Sequence, residues 1–119
     1  MSYLLLIMEH RDRRGNRSPE QARLEYEQMA RFAEELKGRG VYRASESLRP
    51  VSEGVRVTVR AGKRIVADGP FAESKEMVGG FFLLDCRTRE EAVAIAGEVP
   101  ATEWATVEVR EVGPCYEGS

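Results

Sequence analysis

Apolar residues that alternate with polar ones, or that form short unbroken runs, predict six β-strands. Residues 3–8 (YLLLIM) form an unbroken run, which is typical of a central strand buried on both faces. Residues 55–60 (VRVTVR) alternate strictly, and a short turn joins them to residues 64–67 (RIVA), so this pair predicts a β-hairpin. In chain order the predicted strands are residues 3–8, 41–48 (the weakest), 55–60, 64–67, 80–86 and 104–112.

Two other stretches carry the start signals and the spacing of helices. Ser18 at the N-cap, Pro19 at the first helical position and Gln21 two residues later favour a helix start. Thr88 and Glu91 form a second capping box, which precedes a short apolar helix. At helical spacing the first helix carries an apolar stripe that we expect to be core: Ala22, Tyr26, Met29, Ala33 and Leu36.

The order of these elements, β-α-β-(hairpin)-β-α-β, predicts an α+β fold. It is the order of a ferredoxin-like βαββαβ protomer with an inserted β-hairpin. We expect one domain over residues 1–112 and a flexible tail over residues 113–119. Two helices cover only one face of such a sheet. We therefore expect a symmetric homodimer in which the sheets of two copies meet face to face.

Composition and charge narrow the class of protein. The chain has 119 residues, of which 42% are hydrophobic and 32% charged, as in soluble globular domains. No apolar run is long enough to span a membrane and no targeting segment is visible, so we expect a cytoplasmic protein. The net charge of −2 argues against direct binding of nucleic acid. Two cysteines and one histidine cannot close a structural zinc site, so we expect no metal and no cofactor.

Residues 11–17 (RDRRGNR) are the exception to this charge balance. Four arginines in seven residues could hold an anion. A solvated loop is the favoured interpretation, because runs of charge usually lie on the surface.

Residues 67–82 (ADGPFAESKEMVGGFF) are the best candidate for a site. Asp68-Gly69-Pro70 is a sequence typical of turns, and Phe71 should point inward from an otherwise polar loop. Two carboxylates and an ammonium follow at Glu73, Lys75 and Glu76, and Gly79-Gly80 would permit close approach by a backbone or ligand. The segment is either a structured turn with solvated charges or an acid/base or anion site at the end of a sheet.

The same stretch resembles the signature of the YCII-related family, in its DGPF-domain branch, and the resemblance covers residues 1–112. It implies a dimeric α/β barrel of ferredoxin-like protomers, with a pocket between sheet and helices lined partly by the DGPF turn. Glu108 of the last strand also matches the family pattern. The ligand-pocket residues that the resemblance implies are Asp68, Gly69, Pro70, Phe71, Glu73, Lys75, Glu76, Gly79, Gly80 and Arg110.

The resemblance leaves three functions open. Some relatives are thought to be enzymes with a His–Asp pair, and the DGPF branch is often linked to extracytoplasmic-function sigma factors. We favour a module that binds a small molecule or acts in regulation, with a sigma factor as a potential partner. The alternative is a cofactor-independent lyase, isomerase or hydrolase in which Asp68 is the general base, His10 or Lys75 assists, and Arg110 orients an anionic substrate. His10 is the only histidine, and an exposed loop position is the favoured interpretation for it. A purely structural dimer is the third hypothesis.

Overall fold

A computed structural model describes residues 1–116 of the chain. The six strands and two helices occur in the predicted order. The helices are α1 (Pro19–Gly38) and α2 (Arg89–Glu98). The strands are β1 (Ser2–His10), β2 (Tyr42–Ser47), β3 (Val55–Arg60), β4 (Lys63–Asp68), β5 (Glu76–Asp85) and β6 (Thr106–Glu111).

Four of the strands form one antiparallel sheet in the order β2-β5-β1-β6. This order, with both helices, confirms the α+β class and is compatible with a ferredoxin-like arrangement. Strands β3 and β4 pair with each other in a separate two-stranded sheet. The face-to-face homodimer stays a prediction.

The sheet buries one face, which we call the inner face, against the helices. Along β1 the side chains of Tyr3, Leu5 and Ile7 are buried, whereas those of Leu4 and Leu6 between them are only half-buried. The prediction that this strand is buried on both faces is therefore wrong for a single copy of the chain. The difference arises because successive side chains of a strand point to opposite faces, and the helices pack only on the face of Tyr3, Leu5 and Ile7.

Helix α1 begins as predicted, since the hydroxyl of Ser18 accepts a hydrogen bond of 3.0 Å from the backbone N–H of Gln21. Its buried side chains are those of Glu25, Phe32 and Leu36. Of the predicted core stripe only Leu36 is fully buried, and Tyr26 is 64% exposed. The helix is thus turned away from the orientation that its apolar residues alone predict, and it buries a carboxylate.

Strand β5 starts at Glu76, four residues before the predicted start. The extra residues pair with the end of β1, where Glu76 lies opposite His10 and Met77 opposite Glu9. The second half of the candidate stretch is therefore strand rather than loop. Thr88 caps α2 as predicted, with its hydroxyl 3.1 Å from the backbone nitrogen of Glu91.

The hairpin β3–β4 is exposed along both of its strands. The Cα radius of gyration is 16.2 Å, larger than the roughly 13–14 Å expected of a compact chain of this length. Within the described residues, no helix has the length and apolarity needed to cross a membrane. The predicted flexible tail, residues 113–119, falls partly outside the description, because residues 117–119 are not included.

Candidate functional site

A cavity of about 390 Å³ lies between helix α1 and the inner face of the four-stranded sheet. This volume is within the range of small-molecule sites. Its walls come from α1 on one side and from β1, β2 and the middle of β5 on the other. Ala101 and Trp104, from the turn between α2 and β6, also line it. The cavity combines apolar walls with charged side chains from four elements of the fold.

Small side chains on α1 leave the cavity open. Ala22, Ala30 and Ala33 line it from the helix, together with Met29 and Tyr26. Larger residues at the alanine positions would fill the space between helix and sheet. The stripe that the sequence suggested to be core therefore lies, for the most part, along the wall of the cavity. The apolar side chains that face it from the other elements are Ile7, Phe82 and Trp104.

Glu25 is a buried carboxylate in this wall, with 2% of the residue exposed. Arg13 binds both of its oxygens, at 2.7 Å and 2.6 Å. Arg17 donates a further hydrogen bond at 2.7 Å and the amide of Gln21 another at 3.0 Å. The carboxylate therefore accepts four hydrogen bonds, two of them in the parallel geometry that suits a guanidinium best.

These partners decide the protonation state of Glu25. The hydrogen bonds from Arg13, with those from Gln21 and Arg17, outweigh the effect of burial and lower the pKa of Glu25 from 4.5 to about 2. The same pair raises the pKa of Arg13. A carboxyl group with so low a pKa is ionised at neutral pH and is a weak base, so Glu25 orients the two arginines rather than transferring protons.

A second buried carboxylate, Glu9, pairs with Arg14 at 2.5 Å. The guanidinium of Arg14 also donates to the carbonyl of Leu48 at 2.6 Å and to the carbonyl of Gly79 at 3.0 Å. One arginine thus joins β1 to β5 and to the end of β2 at the edge of the cavity. A Cβ atom at Gly79 would lie 2.8 Å from Oε1 of Glu9 and 3.0 Å from Arg14, so a side chain there would force this ion pair to shift.

Gly80 lies against the neighbouring strand for a related reason. A Cβ atom there would approach the backbone oxygen of Glu46 on β2 to 2.7 Å. Both glycines line the cavity. The pair therefore allows β5 to pass close to β2 and to the Glu9–Arg14 ion pair, which was the close approach by a backbone that the sequence suggested.

Hydroxyl groups mark the rim of the cavity. The hydroxyls of Tyr42 and Ser45 lie 2.8 Å apart, and the ammonium of Lys37 lies 5.0 Å from the centre of the Tyr42 ring. Ser47 and Tyr26 add two more hydroxyls to the lining.

The DGPF turn lies beside the base of the hairpin and not in the cavity wall. The backbone N–H of Gly69 donates to the carbonyl of Gly54 at 2.8 Å, and a Cβ atom at Gly69 would come within 2.2 Å of the backbone oxygen of Val51. Phe71 is buried, as predicted, and the guanidinium of Arg56 lies 3.7 Å from the centre of its ring. The turn thus fixes where the hairpin leaves the rest of the chain.

Comparison with known proteins identifies the family to which the chain belongs. The model of the YCII-related domain matches residues 1–115. The chain belongs to the YCII-related family. A protein of Rhizobium meliloti (strain 1021), described as uncharacterized, is 42% identical over 50 residues. That match covers 42% of the present chain and 40% of the relative, so the chain spans less than half the length of the curated relative it matches. Membership of the DGPF branch stays a prediction.

In this YCII-related chain, only two of the predicted pocket residues line the cavity, and these are Gly79 and Gly80. Asp68 ends β4 and is exposed, and Arg110 lies on the outer face of the sheet opposite Leu4. His10 is exposed and its Nδ1 accepts a hydrogen bond of 3.1 Å from the backbone of Asp12. The predicted site residues that lie outside the cavity lining are Asp68, Gly69, Pro70, Phe71, Glu73, Lys75, Glu76, Arg110 and His10.

The arginine-rich segment of the YCII-related chain is not a solvated loop. Arg13, Arg14 and Arg17 expose 24%, 18% and 21% of their side chains and bind Glu25 or Glu9. Arg11 donates to the carbonyls of Ala72 and, at 3.4 Å, of Ser74 in the DGPF segment. Nor is it an open anion site, because its arginines bind carboxylates and neutral carbonyl oxygens of the chain itself.

Sequence reasoning missed the two buried glutamates. Glu25 lies one helical turn from Ala22 and Met29 and seven residues after the N-cap Ser18, on the side of α1 nearest the arginine-rich segment. An acidic residue on the second turn of a helix that follows a cluster of arginines is the signal that would have suggested the pairing. Within residues 1–116, no group of three or more His, Cys, Asp or Glu side chains is placed to hold a metal ion.

Proposed function

We propose that this YCII-related protein binds a small molecule in the cavity between helix α1 and the sheet. The observation that carries the proposal is the cavity itself, which is lined by alanines on α1 and by both apolar and polar side chains of the other elements. An ordinary core would fill this volume, because empty space next to a helix costs stability. Retaining about 390 Å³ at this position is therefore what a binding site requires.

The charges around the cavity indicate a neutral ligand. Arg13 and Arg17 are already bound to Glu25, and Arg14 to Glu9. An anionic ligand that bound these arginines would have to displace a carboxylate of the protein and leave it buried without a partner, which is costly. A mostly apolar molecule with one or two hydrogen-bonding groups, placed near Tyr26 and Ser47, fits the lining without that cost.

The test fills the cavity without altering its charges. Replacing Ala33→Phe puts a ring into the space next to Met29, whereas Ala94→Phe adds the same ring to an exposed position of α2 as a matched control. Chemical-shift titration with a panel of neutral aromatic and aliphatic alcohols should show binding to wild type and to Ala94→Phe but not to Ala33→Phe. The proposal is abandoned if no neutral compound in the panel shifts the amide signals of residues 22–33, or if Ala33→Phe binds as well as wild type.

A regulatory role is the finer part of the proposal. Arg14 and Arg17 line the cavity, and Arg11, in the same short segment, holds the DGPF turn through Ala72. A ligand that moves this segment would therefore also move the base of the hairpin. A sigma factor as partner is proposed from the family resemblance alone. Co-purification with sigma factors, with and without a cavity ligand, tests this partner. If no sigma factor associates under either condition, this part of the proposal is wrong.

The enzyme alternative has less support. Asp68 is exposed and lies outside the cavity lining, and Glu25 is held in its ionised form by two arginines. A general base needs a pKa near the working pH and a position beside the substrate. The experiment that separates this alternative from binding is Asp68→Asn, which is argued with the other predictions below.

We further propose that two copies form a homodimer through the outer face of the sheet. Along the two central strands this face is apolar, whereas the edge strands carry Glu46 and Glu108. Replacing Leu6→Glu at its centre should then convert the dimer into a folded monomer in sedimentation experiments. A wild-type chain that is monomeric at every concentration tested would disprove the dimer. The apolar side chains of the face are Leu4, Leu6, Met8, Val78, Phe81 and Leu83.

A further inference from the structure

Glu9 ends the inner face of β1 with a charge. The inner-face residues before it, Tyr3, Leu5 and Ile7, are hydrophobic, and all four side chains are buried. Only 4% of Glu9 is exposed, and the residue lines the cavity. Burying a carboxylate is costly, and apolar residues that replace a buried ion pair are often at least as stable. Stability alone therefore does not account for a carboxylate at this position.

The two buried carboxylates of the cavity differ in how their oxygens are used. Glu25 accepts four hydrogen bonds from the protein, and these occupy both of its oxygens. Glu9 accepts one side-chain hydrogen bond, on Oε1, from Nε of Arg14 at 2.5 Å. A carboxylate oxygen has two lone pairs, so Oε2 of Glu9 can accept a hydrogen bond that residues 1–116 do not supply.

Oε2 of Glu9 faces the cavity. Among residues 1–116, every side-chain oxygen or nitrogen that is shut off from open space has a hydrogen-bond partner. Oε2 has no such partner in this part of the chain, so it keeps contact with open space, and the space that Glu9 lines is the cavity. Gly79 helps to leave this carboxylate uncovered, because a Cβ atom there would lie 2.9 Å from its carboxyl carbon.

We propose that Glu9 selects the ligand of the cavity by accepting a hydrogen bond from it on Oε2. The ligand then carries an O–H or N–H donor on an otherwise apolar body. This inference rests on the proposed function, which it narrows from any neutral molecule to a neutral donor such as an alcohol, a phenol or an amide. Arg14 already balances the charge of Glu9, so the ligand needs a donor and not a positive charge.

The neighbours of Glu9 receive the apolar part of the ligand. Ile7 lies two residues away on the same face of β1, which is about 7 Å along a strand. Phe82 and Met29 also line the cavity. A molecule whose hydroxyl meets Oε2 can therefore place a ring or a short carbon chain against Ile7 and these side chains.

The first test compares two compounds of the same formula. Phenethyl alcohol and benzyl methyl ether are isomers of similar size, and only the alcohol has an O–H donor. In chemical-shift titrations of the wild-type chain, the alcohol should bind about tenfold more tightly, the effect of one hydrogen bond to a charged acceptor. The alcohol should also shift the ¹³C signal of the Glu9 carboxyl carbon more than the ether does. Hexanol and methyl pentyl ether repeat the comparison without a ring.

The second test changes the acceptor. In Glu9→Gln the amide oxygen should stay on Arg14, which has only donors, so the amide N–H group then faces the cavity. This group donates to the alcohol and the ether alike, so the preference should fall from about tenfold to about one. Glu27→Gln on the exposed side of α1 removes the same charge outside the cavity lining and should keep the wild-type preference.

The measured quantity is a ratio of two Kd values for one variant, and a merely structural role of Glu9 would not change it. If alcohol and ether bind the wild-type cavity equally tightly, Glu9 does not select the ligand, and the cavity proposal stands. A folded Glu9→Gln variant that keeps the wild-type preference overturns the inference in the same way. If Glu9→Gln does not fold, the wild-type ratio and the Glu9 carboxyl signal decide. If no neutral compound binds, the proposed function and this inference are both wrong.

Discussion

Arg13 and Glu25 form a two-point ion pair that joins the segment after β1 to helix α1, with N···O distances of 2.7 Å and 2.6 Å. The guanidinium of Arg13 also lies 5.0 Å from the centre of the Trp104 ring, which lines the cavity. One arginine therefore contacts both the helix and the far wall of the cavity. This contact therefore joins α1 to the segment after β1 and to the turn before β6, in addition to the apolar core beneath the helix.

Replacing Glu25→Gln should destabilise the protein by about 2–4 kcal/mol, because it leaves Arg13 and Arg17 without the carboxylate that neutralises them. The two arginines keep some contact with water, so the lower part of that range is more consistent with their exposure of 24% and 21%. Urea unfolding measures the change. Glu27→Gln, which breaks the exposed pair with Arg23 on the same helix, is the control and should cost less than about 1 kcal/mol. Equal effects of the two variants would contradict the special position of Glu25.

The same pair predicts how stability depends on pH. The pKa of Glu25 is lowered from 4.5 to about 2 in the folded chain, so folding favours the ionised form. The stabilisation is fully present above about pH 4.5 and is lost as the pH falls from there towards 2. The contribution of Glu25 to the free energy of unfolding should amount to at most about 3 kcal/mol. Urea unfolding across this pH range measures it. The Glu25→Gln variant should show a shallower decline than wild type, and identical slopes would contradict the prediction.

Much of the fold could be predicted from the sequence because its signals are local. Ser18 and Thr88 cap their helices through hydrogen bonds to residues three positions later, so the relevant atoms lie in one short segment. Alternation of apolar residues likewise reports strands without knowledge of the neighbours. The start of β5 was misplaced because Glu76 and Gly79 are poor strand residues, and pairing with β1 overrides that preference.

The site was harder to predict, because its determinants are distant in the sequence. Arg14 contacts Leu48 and Gly79, which are 34 and 65 residues away. A charged run looks the same in a sequence whether it is solvated or bound to buried carboxylates. The apolar stripe of α1 was expected to be core and instead lies mostly along the cavity wall. Helical spacing shows that Ala22 and Met29 share a face, but it does not show that this face borders a cavity.

A methyl group at Gly79 should disturb the cavity edge. In Gly79→Ala the new Cβ would lie 2.8 Å from Oε1 of Glu9, so the Glu9–Arg14 pair must shift. The hydrogen bond that Arg14 donates to the carbonyl of residue 79 should then weaken. We expect a loss of about 1–3 kcal/mol in thermal or urea unfolding. Gly97→Ala is the control, because nothing lies within 4 Å of its Cβ position in α2. It should stabilise the chain by about 0.5–1 kcal/mol. A Gly79→Ala variant as stable as wild type would show that the pair adapts freely.

Asp68→Asn distinguishes a chemical role of the DGPF turn from a structural one. Asp68 is exposed, so the substitution should change the free energy of unfolding by no more than about 0.5 kcal/mol and should leave cavity binding intact. Phe71→Ala, three residues on, removes the buried ring under Arg56 and should cost about 3 kcal/mol, because it leaves a hole at the base of the hairpin. Both variants are compared by urea unfolding and by titration with the neutral compound that binds wild type most tightly. If Asp68→Asn abolishes binding or a chemical turnover of that compound while its stability is unchanged, the acid/base alternative replaces the binding module. If neither variant affects stability, the turn has no structural role, and its fixed geometry needs another cause.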